Sequence, residues 1–595
     1  MTESPKNLRD LIDTLESMGE LRRVACEVDP VLEVTEIATR CVRSGAPALL
    51  FERVKGSRYP LAINLFAGER RLEAALGRHP AEIGQEIGAA IERLNPPSLR
   101  GVWQSRSFLR RAASARVRRV RIAPSQEVFE APDLDRLPAL HCWPGDAGRF
   151  ITFPQVITTG PGGRHRNVGL YRLQLFSKTE TGMHWQIQKG GGFHHHEAEK
   201  RGEALEVAVA IGGDPVLVLA AMWPLPEGLD EAAFAGLIRG TPSRFVRASS
   251  ISMDVPADAD FILEGVVPAG ERRVEGPFGD HYGHYSHAAP FPVFRVRKVT
   301  RRRDPIYLAA VVGKPPQEDM YLGNSVQEIF LPFVRMTRPE VRDLWSFYEG
   351  GFHTLLAVSM ESRYRKEGVK TALGLLGEGQ LSLSKAVVVV RHDTAARDFR
   401  SLLGAIRERF KASRDFLLLP GTSMDTLDFA GPSLNLGSKM VIDATGDLGD
   451  YPPPSGVPDH LPDPRSVSPL IAGHAYFEST LLVVKARDGG PSSSRNLLEE
   501  LVRRPELGFL KLIAVVSEDV DLADLVSVIW GIFTRFDPAC DVTFRTRELR
   551  GACPVYDGPL GIDATWKPGY PEPLVMDPAI TERVDRRWQE YGIEK

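Results

Sequence analysis

The second half of the sequence is written twice, and nothing else in the chain restricts its fold as much. AVVVVRHD…AIRERFKASRDFLLL…GSKMVIDATGD, 386–447, returns as LIAVVSED…VIWGIFTRFDPACDVTF…GPLGIDATWK, 512–567. Each copy reads as strand, acidic turn, helix, strand, and then a glycine-containing loop that ends in Ile-Asp-Ala-Thr, at 442–445 and 562–565. The spacing from Asp393 to Asp443 is 50 residues and from Asp519 to Asp563 it is 44. A period of this kind signals a duplicated supersecondary unit. Between the copies seven prolines crowd YPPPSGVPDHLPDPRSVSP, a stiff linker or wrapping segment. Lys439 of the first copy has no counterpart in the second.

The remaining length has to be divided among other domains. At roughly 150 residues per domain, 595 residues suggest about four. An apolar fraction of 43% and a charged fraction of 25% exclude wholesale disorder. A formal charge of −3 argues against a dedicated nucleic-acid or anionic-membrane binder and leaves a small molecule as the expected partner. Five scattered cysteines with no C-x-x-C pair suit a reducing compartment rather than a disulfide framework. The first residues carry acidic side chains and no apolar run of signal-peptide type, and no stretch reaches the ~18 apolar residues of a membrane span. A cytoplasmic protein without a membrane span is expected.

Along the chain, residues 1–120 read as an α/β unit. Ser4 and Pro5 open a helix with Leu8, Leu11, Ile12 and Leu15 on one face, and LRRVACEV follows as a strand. The unit ends in SRSFLRRAASARVRRVRI, with seven arginines. That stretch is either a phosphate or acidic-partner site or a solvated connecting helix, and the near-neutral remainder favours the helix. Residues 121–320 read as mostly β. ITFPQVITT and NVGLYRLQLF form a hairpin, and ALEVAVAIGG, PVLVLAAM, RFVRASS, DFILEGVV and FPVFRVRKVT add strands, with EAAFAGLIRG as a helix. So many strands need their edges closed, which points to a barrel. A C-terminal α/β domain (321–450), the linker (451–470) and the second copy (471–595) complete an α+β multidomain chain.

Two segments concentrate functional polarity. In RNVGLYR, Asn167 and Arg172 are five apart, an odd offset that gives them separate faces on a flat strand. In VEGPFGDHYGHY, Glu275 and Asp280 bracket Gly276-Pro277-Phe278-Gly279, a turn that lets both carboxylates converge. An arginine between them would hold one carboxylate ionised and grip an anionic substrate. The other, desolvated beside a like charge, would have a raised pKa and donate a proton near neutrality. The consecutive His194-His195-His196, on an extended chain, cannot all bind one ion. His281, His284 and His287 are spaced for a helix that Gly283 weakens.

RNVGLYRLQLFSKTETGMHWQIQKGG, EGPFGDHYGHY, FPVFRVRKVTRRRDPIYLAAVVGKPPQED and GSKMVIDAT together resemble the UbiD-type decarboxylases, over roughly Leu8 to Asp447. These act on aromatic and α,β-unsaturated acids with prenylated FMN. The resemblance implies an N-terminal α/β unit, a central FMN-binding split β-barrel and a C-terminal α/β domain used to form a homodimer or higher homo-oligomer. It makes Arg172 the holder of the substrate carboxylate, Glu275 its orienting partner and Asp280 the proton donor. Leu170, Tyr171, Arg172, His184, Trp185, Gln186, Lys189 and Gly190 would line the cofactor site, and Lys439 would reach the cofactor. A flavin prenyltransferase would supply the cofactor. Length, the duplication and GKPPQEDMYLGNSVQEIFLP are most similar to the menaquinone-biosynthesis branch, whose substrates are hydroxynaphthoate-like.

One feature departs from that family. Many members hold Mn2+ at the cofactor phosphate with an asparagine, a histidine and a glutamate, and K+ is a further ion to consider. Here Asn167 is in place, Gln188 stands for the histidine, and Arg244, after RGT, falls at the apparent glutamate position. The expectation is that Arg244, helped by Lys189, binds the phosphate in place of the metal. The alternative is a nearby carboxylate such as Glu264 as ligand.

Overall fold

A computed structural model describes every residue except 1–3, 164, 187–189, 226–227, 448, 450, 452–455, 488–491 and 594–595. The chain divides into two compact units, 1–332 with 572–595, and 333–571. These compact units part at 332/333. Residues 572–595, expected in the second repeat copy, belong with the first unit.

In the first unit, Leu8–Ser17 is a helix with Leu8, Leu11, Ile12 and Leu15 buried, and Asn7 rather than Ser4 caps it. A four-stranded sheet follows, in the order Leu21–Val28, Ala48–Val54, Leu61–Ile63, Tyr307–Leu308. Its last strand comes from far along the chain. Its flank is closed by the C-terminal helix Pro578–Arg587, where buried Glu33 meets Arg583, Arg587 and the Tyr591 hydroxyl. The arginine-rich stretch, 105–122, is one short helix, Arg106–Ala112, and a strand, Val117–Val120, rather than a connecting helix throughout.

The central sheet is antiparallel, as the alternation predicted. Its order is Glu180–Gly182, Ala289–Arg301, Phe261–Val267, Leu205–Ile211, Gln155–Thr159, Arg166–Leu170, and Val128–Glu130 and Arg272–Glu275 also pair with the long strand Ala289–Arg301. The first and last strands of that order are joined by residues 171–179 alone, and this connection carries Arg172. PVLVLAAM is not a strand. Pro215–Ala220 is a helix because Asp214 caps it, accepting from Val216 N–H, and Pro215 sits at its first position. The three consecutive histidines also lie on a helix, Gly190–Lys200, not on an extended segment.

In the second unit the duplication is larger than the sequence revealed. One sheet runs Val341–Ser346, Leu355–Met360, Ala386–Arg391, Leu436–Ala444, Phe416–Ser423; the other runs Ile471–Phe477, Leu481–Ala486, Leu512–Val516, Leu560–Ala564, Val542–Thr543. Each copy thus gains a leading hairpin whose side chains have diverged. Asp443 pairs with Val389, and Asp563 with Val515, at the same register position. Each aspartate accepts from the threonine two residues on, Thr445 and Thr565, through both its backbone N–H and its hydroxyl. Ile-Asp-Ala-Thr is therefore a strand-end turn used twice.

One core joins the two copies: Leu355, Val388, Phe399, Leu403 and Ile442 from the first cluster with Leu481, Val483, Ile532, Phe533 and Ile562 from the second. The second copy is thus half of a shared interior. Burying a residue such as Leu or Phe contributes ~1.5–3 kcal/mol. A chain ending after Leu470 is expected to be insoluble or to melt without a cooperative transition. A soluble truncation with a sharp calorimetric transition would disprove the shared core.

Candidate active site

The sequence folds Arg172 into place immediately after the strand Arg166–Leu170, and brings Glu275 to it at the end of Arg272–Glu275. Arg172 Nε donates to Glu275 Oε1 at 3.0 Å, Nη1 to Asp280 Oδ2, and Nη2 to Ser286 Oγ at 3.0 Å. Its guanidinium carbon lies 4.7 Å from the centroid of the Phe278 ring. Glu275 is fully buried, and its Oε1 is shared with His184 Nδ1 at 2.9 Å. Its Oε2 has no hydrogen-bond partner among the described residues. A Cβ on Gly182 would come within 2.7 Å of that oxygen, so a glycine is needed there. Gly276, at φ +88°, makes the turn that returns the chain toward Asp280.

The electrostatics correct one expectation. Burial works to raise Asp280, but His281 and Arg172, by hydrogen bonding and charge, hold it well below the usual carboxylate range. Burial likewise opposes ionisation of Glu275, and His184 and Arg172 outweigh it. His184 is lowered by burial and by the nearby Arg172 charge. The site holds two carboxylates on one guanidinium, and neither is the raised acid foreseen from like-charge repulsion. The pairing, at 3.0 Å to His281 Nδ1 and directly to Arg172, is too close for that repulsion to prevail.

Asn167 has a different set of neighbours, as its odd offset from Arg172 implied. Its Nδ2 donates to Glu231 Oε1 at 3.0 Å, and Val168 N–H donates to Glu231 Oε2 at 3.0 Å. Glu231 opens the helix Glu231–Arg239, and burial pushes it up to about 7 against those hydrogen bonds. Asn167 Oδ1 is buried without a partner among the described residues, as is Trp185 Nε1. The start of the helix Gly190–Lys200 closes on this cluster. Gly190 packs on Asn167, Gly191 packs on Trp185, and Gly191 N–H donates to the Tyr171 hydroxyl at 3.2 Å. Tyr171 and Trp185 meet edge to face at 5.0 Å.

Of the other expected residues, Leu170 ends its strand with its N–H on Ala221 O, and Gln186 lies beside Gly192. Lys189 and Gln188 fall outside the described residues. Arg244 is not brought to Asn167. It points out of the strand Ser243–Arg247, with its side chain 44% exposed and bound to Asp258 at 3.0 Å, while its neighbour Phe245 faces Arg166. Glu264, the alternative ligand, is occupied by Ser249 and Ser250. The carboxylate at Asn167 is Glu231, which sequence reasoning missed; its signal was the acidic start of EAAFAGLIRG. Lys439 lies in the second unit, buried on Leu436–Ala444. Its ammonium donates to Ser384 O at 3.1 Å, and burial lowers it to about 8. Among the described residues no three His, Cys, Asp or Glu side chains group as a metal site, so neither histidine set forms one.

Sequence models of 3-octaprenyl-4-hydroxybenzoate carboxy-lyase match this chain: the N-terminal domain at 12–91, the Rift-related domain at 116–315, and the C-terminal domain at 320–444 and 464–555. A sheet built on that plan, with an arginine seated between two carboxylates, defines a carboxy-lyase. The chain belongs to the UbiD family of decarboxylases. A Chlamydia pneumoniae protein named as one of the subunits of a 4-hydroxybenzoate decarboxylase is 36% identical over 589 residues, 98% of either chain. The UbiD-class enzyme HmfF from Pelotomaculum thermopropionicum, solved in complex with FMN, is 29% identical, with a TM-score of 0.62 over 76% of this chain and 97% of its own. Vanillic acid decarboxylase from Sedimentibacter hydroxybenzoicus, 24% identical, shares the fold with a TM-score of 0.67 over 77% of this chain and 96% of its own. No helix among the described residues is long and apolar enough to cross a membrane.

Replacing Arg172 with Ala strands two buried carboxylates, and the loss of one partner in such a set typically costs ~3–5 kcal/mol. Thermal unfolding of Arg172→Ala should fall accordingly at pH 7. Because Glu275 and Asp280 are lowered in the folded state, their stabilisation is present above their unfolded values, about pH 4, and is lost as pH falls further. The gap between wild type and variant should therefore narrow below about pH 4. A gap independent of pH would contradict the pairing.

Proposed function

We propose that this chain decarboxylates an aromatic carboxylic acid non-oxidatively with prenylated FMN. The observation that carries the reading is Arg172, held between Glu275 and Asp280 and adjoining the Tyr171–Trp185–Gly190 cluster. The residues fit a phosphorylated flavin. Asn167 Oδ1 and Trp185 Nε1 are buried polar atoms lacking partners among the described residues, and a helix opening on three glycines presents backbone N–H groups suited to phosphate. When bound, the cofactor supplies the electron sink that a carbanion-like centre requires and no side chain offers.

The protein's own residues do the rest. Arg172 grips the substrate carboxylate, Glu275 and His184 fix the guanidinium, and the apolar walls exclude water. Arg172, Glu275 and Asp280 together carry one net negative charge when ionised, and a substrate carboxylate adds another. That addition, with loss of water, favours a proton on Asp280. Binding thus loads the acid that substrate-free Asp280 is not, and Asp280 then delivers the proton to the carbon that has lost carbon dioxide.

The substrate we propose is hydroxynaphthoate-like, within menaquinone biosynthesis. It rests on the resemblance in length and duplicated C-terminal unit; the name of the Chlamydia pneumoniae relative favours a monocyclic hydroxybenzoate instead. Enzyme co-expressed with a flavin prenyltransferase and offered hydroxynaphthoates, hydroxybenzoates and heteroaromatic acids decides between them. Carbon dioxide release from none of them, with the flavin bound, would refute the reading. Asp280→Asn is expected to retain flavin and fold and to lose ~10²–10⁴-fold in turnover. Near-wild-type turnover would remove Asp280 from the acid role.

Asn167 and Glu231 are hard oxygen donors of the kind that Mn2+ or Mg2+ accepts, and they fit a divalent cation beside the cofactor phosphate better than Arg244 does. We therefore propose that these two hold the ion. Elemental analysis should find about one manganese per chain, and chelation or Glu231→Ala should lower flavin occupancy. Full occupancy after chelation would return the role to an arginine or lysine.

A further inference from the structure

Asp280 sits on a turn that has little regular structure of its own, since Gly276–Ser286 contributes only the two-residue strands Phe278–Gly279 and Tyr285–Ser286. That turn is held from two sides: by the segment Glu572–Leu574, where Tyr285 N–H donates to Glu572 O at 3.1 Å and Leu574 N–H to Gly283 O at 2.9 Å, and by a strap, Cys142–Arg149, that catalysis as described does not use. At its centre is Asp146, buried and aimed inward. Asp146 Oδ1 accepts from Gly279 N–H at 2.7 Å, and its Oδ2 accepts from Cys142 N–H at 3.0 Å and Trp143 N–H at 2.9 Å. Gly279 immediately precedes Asp280.

Four further contacts surround this one. Ala147 N–H donates to Pro277 O at 2.9 Å, and Gly145 N–H donates to the Tyr285 hydroxyl at 2.9 Å. The Gln174 side chain bridges Ala147 O and Gly276 N–H, at 2.9 Å each. Trp143 lies so close to Gly279 that a Cβ there would run into its ring. Gln174 is two residues past Arg172, so the strap touches both the arginine's segment and the turn of Asp280.

We infer that Asp146 is a positioning residue for Asp280: through the Gly279 N–H it sets where the acid stands relative to Arg172. Both its oxygens are needed, because one serves the turn and the other the strap. An asparagine supplies one acceptor and presents an N–H2 group to the other donors. Burial raises Asp146 to about 7 against the three backbone donors and Arg172.

The inference rests on the proposed function only for its kinetic arm. Hydrogen exchange followed by mass spectrometry on full-length, flavin-loaded Asp146→Asn should show the peptide covering 275–286 exchanging at least about tenfold faster, with distant peptides unchanged. Its kcat should fall roughly 10- to 100-fold at unchanged KM and flavin content, because misplacement by about an ångström is enough for such a loss. Should Asp146→Asn fold poorly, Gln174→Ala and Tyr285→Phe loosen the same strap from its rim and should move both readouts the same way, by less. Unchanged exchange in 275–286 overturns the inference. So does faster exchange with an unchanged kcat, which leaves Asp146 a merely structural residue. A wild type inactive on every acid defeats the proposed function instead, and the exchange result still stands.

Discussion

One guanidinium shared by two buried carboxylates is the interaction on which the site depends. Taking each ion out of water costs several kcal/mol, repaid only where geometry is tight and leftover lone pairs are satisfied. The surroundings answer that demand locally. His184 and Ser286 take positions the arginine and Glu275 leave open, Gly182 yields room to Glu275 Oε2, and Gly276 allows the chain to turn back on itself. Among the described residues Glu275 Oε2 has no hydrogen-bond partner.

The duplicated half solves a different problem. One face of each five-stranded sheet, with a helix of each copy, Phe399–Arg409 and Leu525–Phe533, packs into a single core shared by the two copies. That explains what was kept and what drifted. The Asp-x-Thr turn survives in both copies because it ends the strand that pairs with the central one, and the apolar strands survive because they meet in one core. Lys439 had no such reason to be copied. In the first copy it is buried against Ser384 O and Met424 Sδ, an arrangement particular to that sheet.

The sequence was most legible where one local signal had one physical meaning. Period-two alternation identified the antiparallel sheet, and the bracket Glu275–Asp280 around glycines identified a turn that converges on Arg172. It was least legible where the deciding partner was remote. Glu231 is 64 residues from Asn167, and only the packing of its helix on the strand Arg166–Leu170 brings them together. The apolar run at Pro215–Ala220 has no period to separate buried helix from buried strand, and only its Asp-Pro start spoke for the helix. Residues 572–595 read as a continuation of the repeat, yet Arg583, Arg587 and Tyr591 turn to Glu33, more than 500 residues away. Arg244 failed because the carboxylate at Asn167 comes from the start of the preceding helix, Glu231–Arg239, and not from the strand Ser243–Arg247.

The spacing of Asn167 and Arg172 ties these observations together. Five residues of one strand and its continuation separate a cluster suited to phosphate from a cluster suited to carboxylate, and the odd offset puts them to different uses. A ligand held at Asn167 is therefore indexed against Arg172 by a few rigid peptide units rather than by the docking of domains. On the proposed reading the same rigidity lets Asp280 serve as the acid although it rests ionised. Asp280 does not need a permanently raised pKa if the arrival of a second anion at a fixed Arg172 changes its surroundings by a fixed amount. In such a site the proton follows the substrate, and the precision that matters is the distance between Arg172 and the turn that carries Asp280.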